Sequence, residues 1–77
     1  DAFAVWPNPV GDQLQVMPRG MDQAYDWSLV DATGRTWDSG QGRGPLSLDA
    51  TRWPAGALVL VLRPERDAAH AVRLIVD

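Results

Sequence analysis

In a chain of 77 residues with one histidine and no cysteine, few side chains could do chemistry. Nucleophilic catalysis needs a nucleophile, a base within reach and a third group that orients the base. Ser28, Ser39 and Ser47 fall on strand-like stretches or in turns, and none stands in a nucleophile-elbow sequence. His70 opens a terminal strand-like segment and reads as a surface histidine. Enzyme activity is therefore not expected, nor is a cofactor. The remaining reactive groups are carboxylates: Asp22, Asp26 and Asp31, with Asp12 or Asp49, could in principle gather around calcium. A single-loop calcium site has dense, alternate-residue acidic spacing, which this chain lacks. These aspartates read as turn formers and solvated groups, and no metal is expected.

Two other features invite a binding role. Gly40, Gln41, Gly42, Arg43, Gly44 resembles a phosphate-cradling loop only superficially. Such a loop needs a following helix whose amino terminus faces the anion, and Pro45, Leu46, Ser47, Leu48 looks instead like a strand. The glycine segment is expected to be a plain mobile loop. The four tryptophans could stack on sugar rings. Trp27 and Trp37 share the pattern of apolar neighbours, and Trp53 lies just before the Pro54 and Gly56 that open an apolar run, so core packing is expected for these three. Trp6 is the one left open.

Seventy-seven residues make one domain, which buries only about 60 to 65 % of the surface its unfolded chain exposes. Without disulfides, that domain must rely on packing. The formal charge of -3 and seven scattered arginines, with no lysine, argue against nucleic-acid or anionic-membrane partners. No stretch is long enough for a transmembrane helix, and none has a signal-peptide layout. The chain is expected to be a piece of a longer protein, with targeting signals elsewhere.

The elements that would position these residues are strands. Phe3–Trp6 carries large or β-branched side chains apart from Ala4 and stops at Pro7, Asn8, Pro9, a rigid corner that removes two amide donors. Residues 13–17 alternate, with Leu14 and Val16 on one face. Residues 24–31 do likewise, with Tyr25, Trp27 and Leu29 together, and Asp31, Ala32, Thr33, Gly34 predicts a hairpin turn. Residues 35–39 form the return strand, Leu46 and Leu48 mark another, and residues 49–53 suggest a single helical turn. Residues 57–62 are continuously apolar, with Leu58, Leu60 and Leu62 on one face and Ala57, Val59 and Val61 on the other, as in a buried strand. His70–Val76 closes the chain with Val72, Leu74 and Val76 on one side. Seven short strands at regular spacing predict an all-β antiparallel sandwich.

Taken together, the motifs resemble a known family. Phe3, Ala4, Val5, Trp6, Pro7, Asn8, Pro9 followed by Leu14, Gln15, Val16 resembles the opening of the C-terminal sorting domains of the bacterial type IX secretion system, the Por secretion system type A family. Leu29, Val30, Asp31, Ala32, Thr33, Gly34, Arg35 is similar to the family's hairpin. Leu48, Asp49, Ala50, then Trp53, Pro54, Ala55, Gly56 and the apolar run continue the likeness, which ends in Ala71, Val72, Arg73, Leu74, Ile75, Val76. The chain departs from the family where Leu58 replaces the usual tyrosine two positions after Gly56. It departs again at Trp6, which replaces a tyrosine, and in a terminal strand with Arg73 and Asp77 in place of lysines.

The resemblance implies a seven-stranded Ig-like sandwich, residues 1–77 forming a single C-terminal sorting domain of a larger secreted protein. It also implies recognition by the type IX outer-membrane translocon and removal by a sortase-like protease, with the cargo secreted or held at the cell surface after transit through the periplasm. The expected recognition residues are Pro7, Asn8, Pro9, Gly56, Arg73, Leu74, Ile75 and Val76, with the parent cargo domain upstream and no membrane insertion. The alternative expectation is an Ig-like binding or spacer module of a secreted protein, gripping carbohydrate through Trp6. Because residues 57–62 are apolar on both faces, one face, Ala57, Val59 and Val61 or else the leucines, is a candidate patch for the parent protein or the translocon.

Overall fold

The computed structural model describes residues 3–19 and 24–77. Asp1, Gly20 and Asp22, which entered the sequence reading, lie outside the described residues. Seven strands follow in order: β1 (Phe3–Trp6), β2 (Gln13–Pro18), β3 (Ala24–Val30), β4 (Thr36–Arg43), β5 (Leu46–Asp49), β6 (Gly56–Pro64) and β7 (His70–Val76). They form two antiparallel sheets, one of three strands ordered β1-β2-β5 and one of four ordered β4-β3-β6-β7. This is the all-β sandwich that the alternating pattern predicts.

Period-2 side-chain alternation builds the core directly. The three-stranded sheet turns Phe3, Leu14, Val16 and Leu48 inward, and the four-stranded sheet answers with Tyr25, Trp27, Leu29, Leu58, Leu60, Leu62, Leu74 and Val76. Val10, Ala50 and Trp53 close the ends from loops. β6 sits between β3 and β7, with Leu60 paired to Leu29 on one side and Val72 on the other. Its leucines are wholly or almost wholly buried, and burying each contributes roughly 1.5–3 kcal/mol. The opposite face of β6 is not covered by any strand: Ala57 is exposed, and Val59 and Val61 are half-buried.

The turns follow their expected chemistry. At the β3–β4 hairpin, Gly34 takes φ +86° and donates its N–H to the Asp31 carbonyl at 3.0 Å. Residues 49–53 make a single turn, in which the Trp53 N–H donates to the Ala50 carbonyl at 3.1 Å.

Two expectations are corrected. The glycine segment is not a mobile loop: Gly40, Gln41, Gly42 and Arg43 belong to β4, with Gly40 paired to Trp27 and Gly42 to Tyr25. A Cβ at Gly40 would stand 2.9 Å from the Trp27 indole, and one at Gly42 2.9 Å from the Tyr25 ring. The glycines are there because the aromatic rings of β3 lie across them, a use of strand glycine for close approach. The Tyr25 hydroxyl reaches past Gly42 to donate to the Gly44 carbonyl at 2.7 Å, and burial pushes its pKa upward.

Trp37 is the second correction, since it is 40 % exposed and not part of the core. Val30 pairs with Thr36 while Leu29 pairs with Asp38, so Trp37 is the extra residue of a β-bulge. Such a bulge re-aims a side chain that simple alternation would have placed otherwise.

Candidate functional site

The corner after β1 and the outer edge of β7 meet. Trp6–Pro7 and Asn8–Pro9 are both cis, and the chain between them presents the Asn8 side chain to β7. Asn8 Nδ2 donates to the Arg73 carbonyl at 3.0 Å, and Asn8 Oδ1 accepts from the Ile75 N–H at 3.0 Å. Val10 extends the junction, donating to the Ile75 carbonyl at 2.7 Å and accepting from the Asp77 N–H at 3.3 Å. An amide side chain and one residue of backbone thus stand in for a further strand along the carboxyl half of β7, and that edge is satisfied without a partner.

This junction unites residues that the sequence marks only separately. Pro7, Asn8 and Pro9 lie exposed beside β7, and Gly56, at φ +112°, pairs with Val76 at the start of β6. Arg73 and Ile75 point outward, Ile75 with 48 % of its surface exposed. Leu74 and Val76 point the other way, into the core, so they hold β7 in place and offer no side chain to a partner. Beside Ile75 an apolar groove of about 460 Å³ runs over the outer face, lined by Ala32, Ala57, Leu58, Val59, Arg73, Leu74 and Ile75. Of the two faces of β6, it is therefore the Ala57 and Val59 side that is open.

A second surface feature gathers around Trp37 on β4, an edge strand of the four-stranded sheet. Trp37 Nε1 donates to Asp31 Oδ2 at 2.8 Å, and the Arg35 guanidinium stands over the indole at 4.3 Å from its centroid. Asp31 Oδ1 also accepts from the Thr33 hydroxyl at 2.6 Å, the Thr33 N–H at 2.9 Å and the Arg35 N–H at 3.1 Å. These donors, the Thr33 hydroxyl first and the Trp37 indole next, lower the Asp31 pKa from 3.8 to about 2. Next to Trp37 a cleft of about 430 Å³ is lined by Trp37, Asp38, Asp49, Arg52 and Trp53. Inside it Trp53 Nε1 donates to Asp38 Oδ2 at 3.2 Å, and Asp49 Oδ1 accepts from the Thr51 N–H and hydroxyl at 3.0 and 2.7 Å. The Thr51 backbone donor, then its hydroxyl, lowers the Asp49 pKa.

This cleft went unseen in the sequence, where Asp31 reads only as a turn former and Trp37 only as core. The available signal was Asp31 six positions before Trp37 across a tight turn, a spacing that lets a turn carboxylate reach back to an indole. Trp6 is 46 % exposed, next to the corner, and Trp27 and Trp53 are buried as expected. His70 lies half-buried with its ring edge-on to Phe3 at 5.6 Å. Among the described residues no group of three or more histidines or carboxylates is placed to hold a metal ion, and no helix is long and apolar enough to cross a membrane. No protein-family model matches the chain, and no curated protein gives a significant match.

Proposed function

We propose that this chain is a non-catalytic β-sandwich module that works by being bound, and that within this class it is an Ig-like sorting domain of the type IX secretion kind. One observation carries the sorting reading beyond the order of the sequence motifs. The Pro7, Asn8, Pro9 corner and the terminal strand, far apart in the chain, are stitched by the Asn8 amide into one continuous outward surface with Arg73 and Ile75. A translocon that read this surface would read both ends of the domain at once, and so would select folded domains. In this reading the parent cargo lies upstream, a sortase-like protease removes the domain, and the cargo is secreted or retained at the cell surface.

The sorting role is tested with a substitution that leaves the core alone. Ile75→Asp in the parent protein places a charge on the outward face of β7 and is expected to strand the cargo in the periplasm. Secretion of that variant at the wild-type level refutes the role assigned to this face.

The architecture taken by itself better supports a broader reading, a β-sandwich binding or spacer module of a secreted protein. The two readings part over the fate of the domain. Mass spectrometry of the protein recovered from culture medium finds residues 1–77 missing if the domain is a sorting signal, and present if it is a module of the mature protein.

A further inference from the structure

We infer that the cleft between Trp37 and Trp53 is a binding site for a neutral hexopyranose oligosaccharide. The inference rests on the module reading of the domain and not on the sorting reading. It begins with Trp37, a large apolar side chain held at the surface, where exposure normally leaves a side chain free to change rotamer. Here the indole N–H is tied to Asp31 Oδ2 at 2.8 Å and Arg35 stands over one face of the ring at 4.3 Å, so the orientation is set before any ligand arrives and a sugar would stack on the face that Arg35 does not occupy. Asp31 is itself fixed by three donors from Thr33 and Arg35. A pre-oriented aromatic surface loses little conformational freedom on binding. The apolar C–H face of a pyranose ring matches it in both size and flatness.

The walls of the cleft supply the polar half of sugar recognition. Asp38 and Asp49 are acceptors for sugar hydroxyls, and each is already oriented by hydrogen bonding, Asp38 by Trp53 Nε1 at 3.2 Å and Asp49 by Thr51 at 3.0 and 2.7 Å. Arg52 is a fan of donors on the same rim. The combination of an aromatic platform with a few fixed, convergent polar groups is the general form of a small-ligand site. Charge selects among sugars: two carboxylates against one guanidinium disfavour uronic acids and sulfated or phosphorylated sugars, and leave neutral hexoses favoured.

The test is a fluorescence and calorimetric titration of the 77-residue chain with cellopentaose, laminaripentaose, maltopentaose and mannopentaose, with an oligogalacturonate as the acidic control. Saturable binding of at least one neutral pentaose, and none of the oligogalacturonate, is expected. Trp37→Ala should weaken that binding by about tenfold or more, the loss typical of truncating an aromatic anchor. Arg52→Ala, which leaves both indoles in place, should weaken it too, and circular dichroism confirms that each variant keeps its sheets. Absence of binding to every neutral sugar, tighter binding of the acidic one, or wild-type affinity in a folded Trp37→Ala variant each overturns the assignment. Failure of the module reading registers separately, as loss of residues 1–77 from the secreted protein.

Discussion

Gly40→Ala is a single-methyl perturbation whose outcome turns on what Gly40 packs against. The new Cβ would lie 2.9 Å from Cζ2 and Nε1 of Trp27 and 3.0 Å from Cε2. Carbon contacts are comfortable at about 3.5–4.0 Å, so backbone and ring must separate by roughly 0.6–1 Å. The ring cannot simply swing aside, since Trp27 is buried and forms part of the core. Overpacking of this kind costs about 1–3 kcal/mol. Against it stands the gain of about 0.4–1 kcal/mol from stiffening the unfolded chain, a gain Gly40 could realise because its φ is not in the left-handed region. The net expectation is a loss of about 1–2 kcal/mol, which for a domain of this size lowers Tm by roughly 4–16 °C. Gly11→Ala is the matched control: nothing lies within 4 Å of its Cβ position, and its φ is also ordinary. It should be neutral or slightly stabilising. Urea unfolding of both variants, followed by far-ultraviolet circular dichroism to avoid the tryptophan signal, reads the difference. Equal stability of the two would refute the packing of Trp27 across β4 and restore the mobile-loop reading of the glycine segment.

Three further outcomes are expected. Leu60→Ala, at the centre of β6 and fully buried, should cost about 2–5 kcal/mol by denaturant unfolding, close to the whole stability of a domain this small. Asn8→Ala removes two hydrogen bonds to β7, worth about 1–2 kcal/mol together, and should raise amide exchange at Ile75 far more than at residues of β3. Asp31 has a lowered pKa in the fold, so its contribution is present above its unfolded value near 3.8 and is lost as pH falls through about 2. The Tm advantage of the wild type over Asp31→Asn should therefore shrink between pH 5 and pH 2, and an advantage that stays constant over that range would contradict the bonding assigned to Asp31.

How far the sequence could be read depended on how local the cause was. Alternation in residues 13–17 and 24–30, the β-rich run after Gly56 and the Asp31 to Gly34 turn are local, because side-chain period and turn propensity act within a few residues. They predict seven strands and nearly all of the core. Gly40 and Gly42 mislead because glycine has no intrinsic preference for a strand, and only the rings of Tyr25 and Trp27, arriving from β3, make it the residue required there. Trp37 misleads because one extra residue in a bulge shifts which face it occupies, and a bulge leaves no periodic trace.

What the sequence by itself determined is the sandwich: the order of its seven strands, the Asp31 to Gly34 turn and the leucine face of β6 that must be buried. What only the tertiary structure decided are the two surfaces with a claim to function. The Asn8 amide finds its partners 65 and 67 positions away in the chain, and the Trp37 cleft gathers residues from β4, β5 and the turn before β6. Both depend on where separate strands come to rest against one another, and that is set by the shared core, to which every strand contributes a part and which no single stretch encodes.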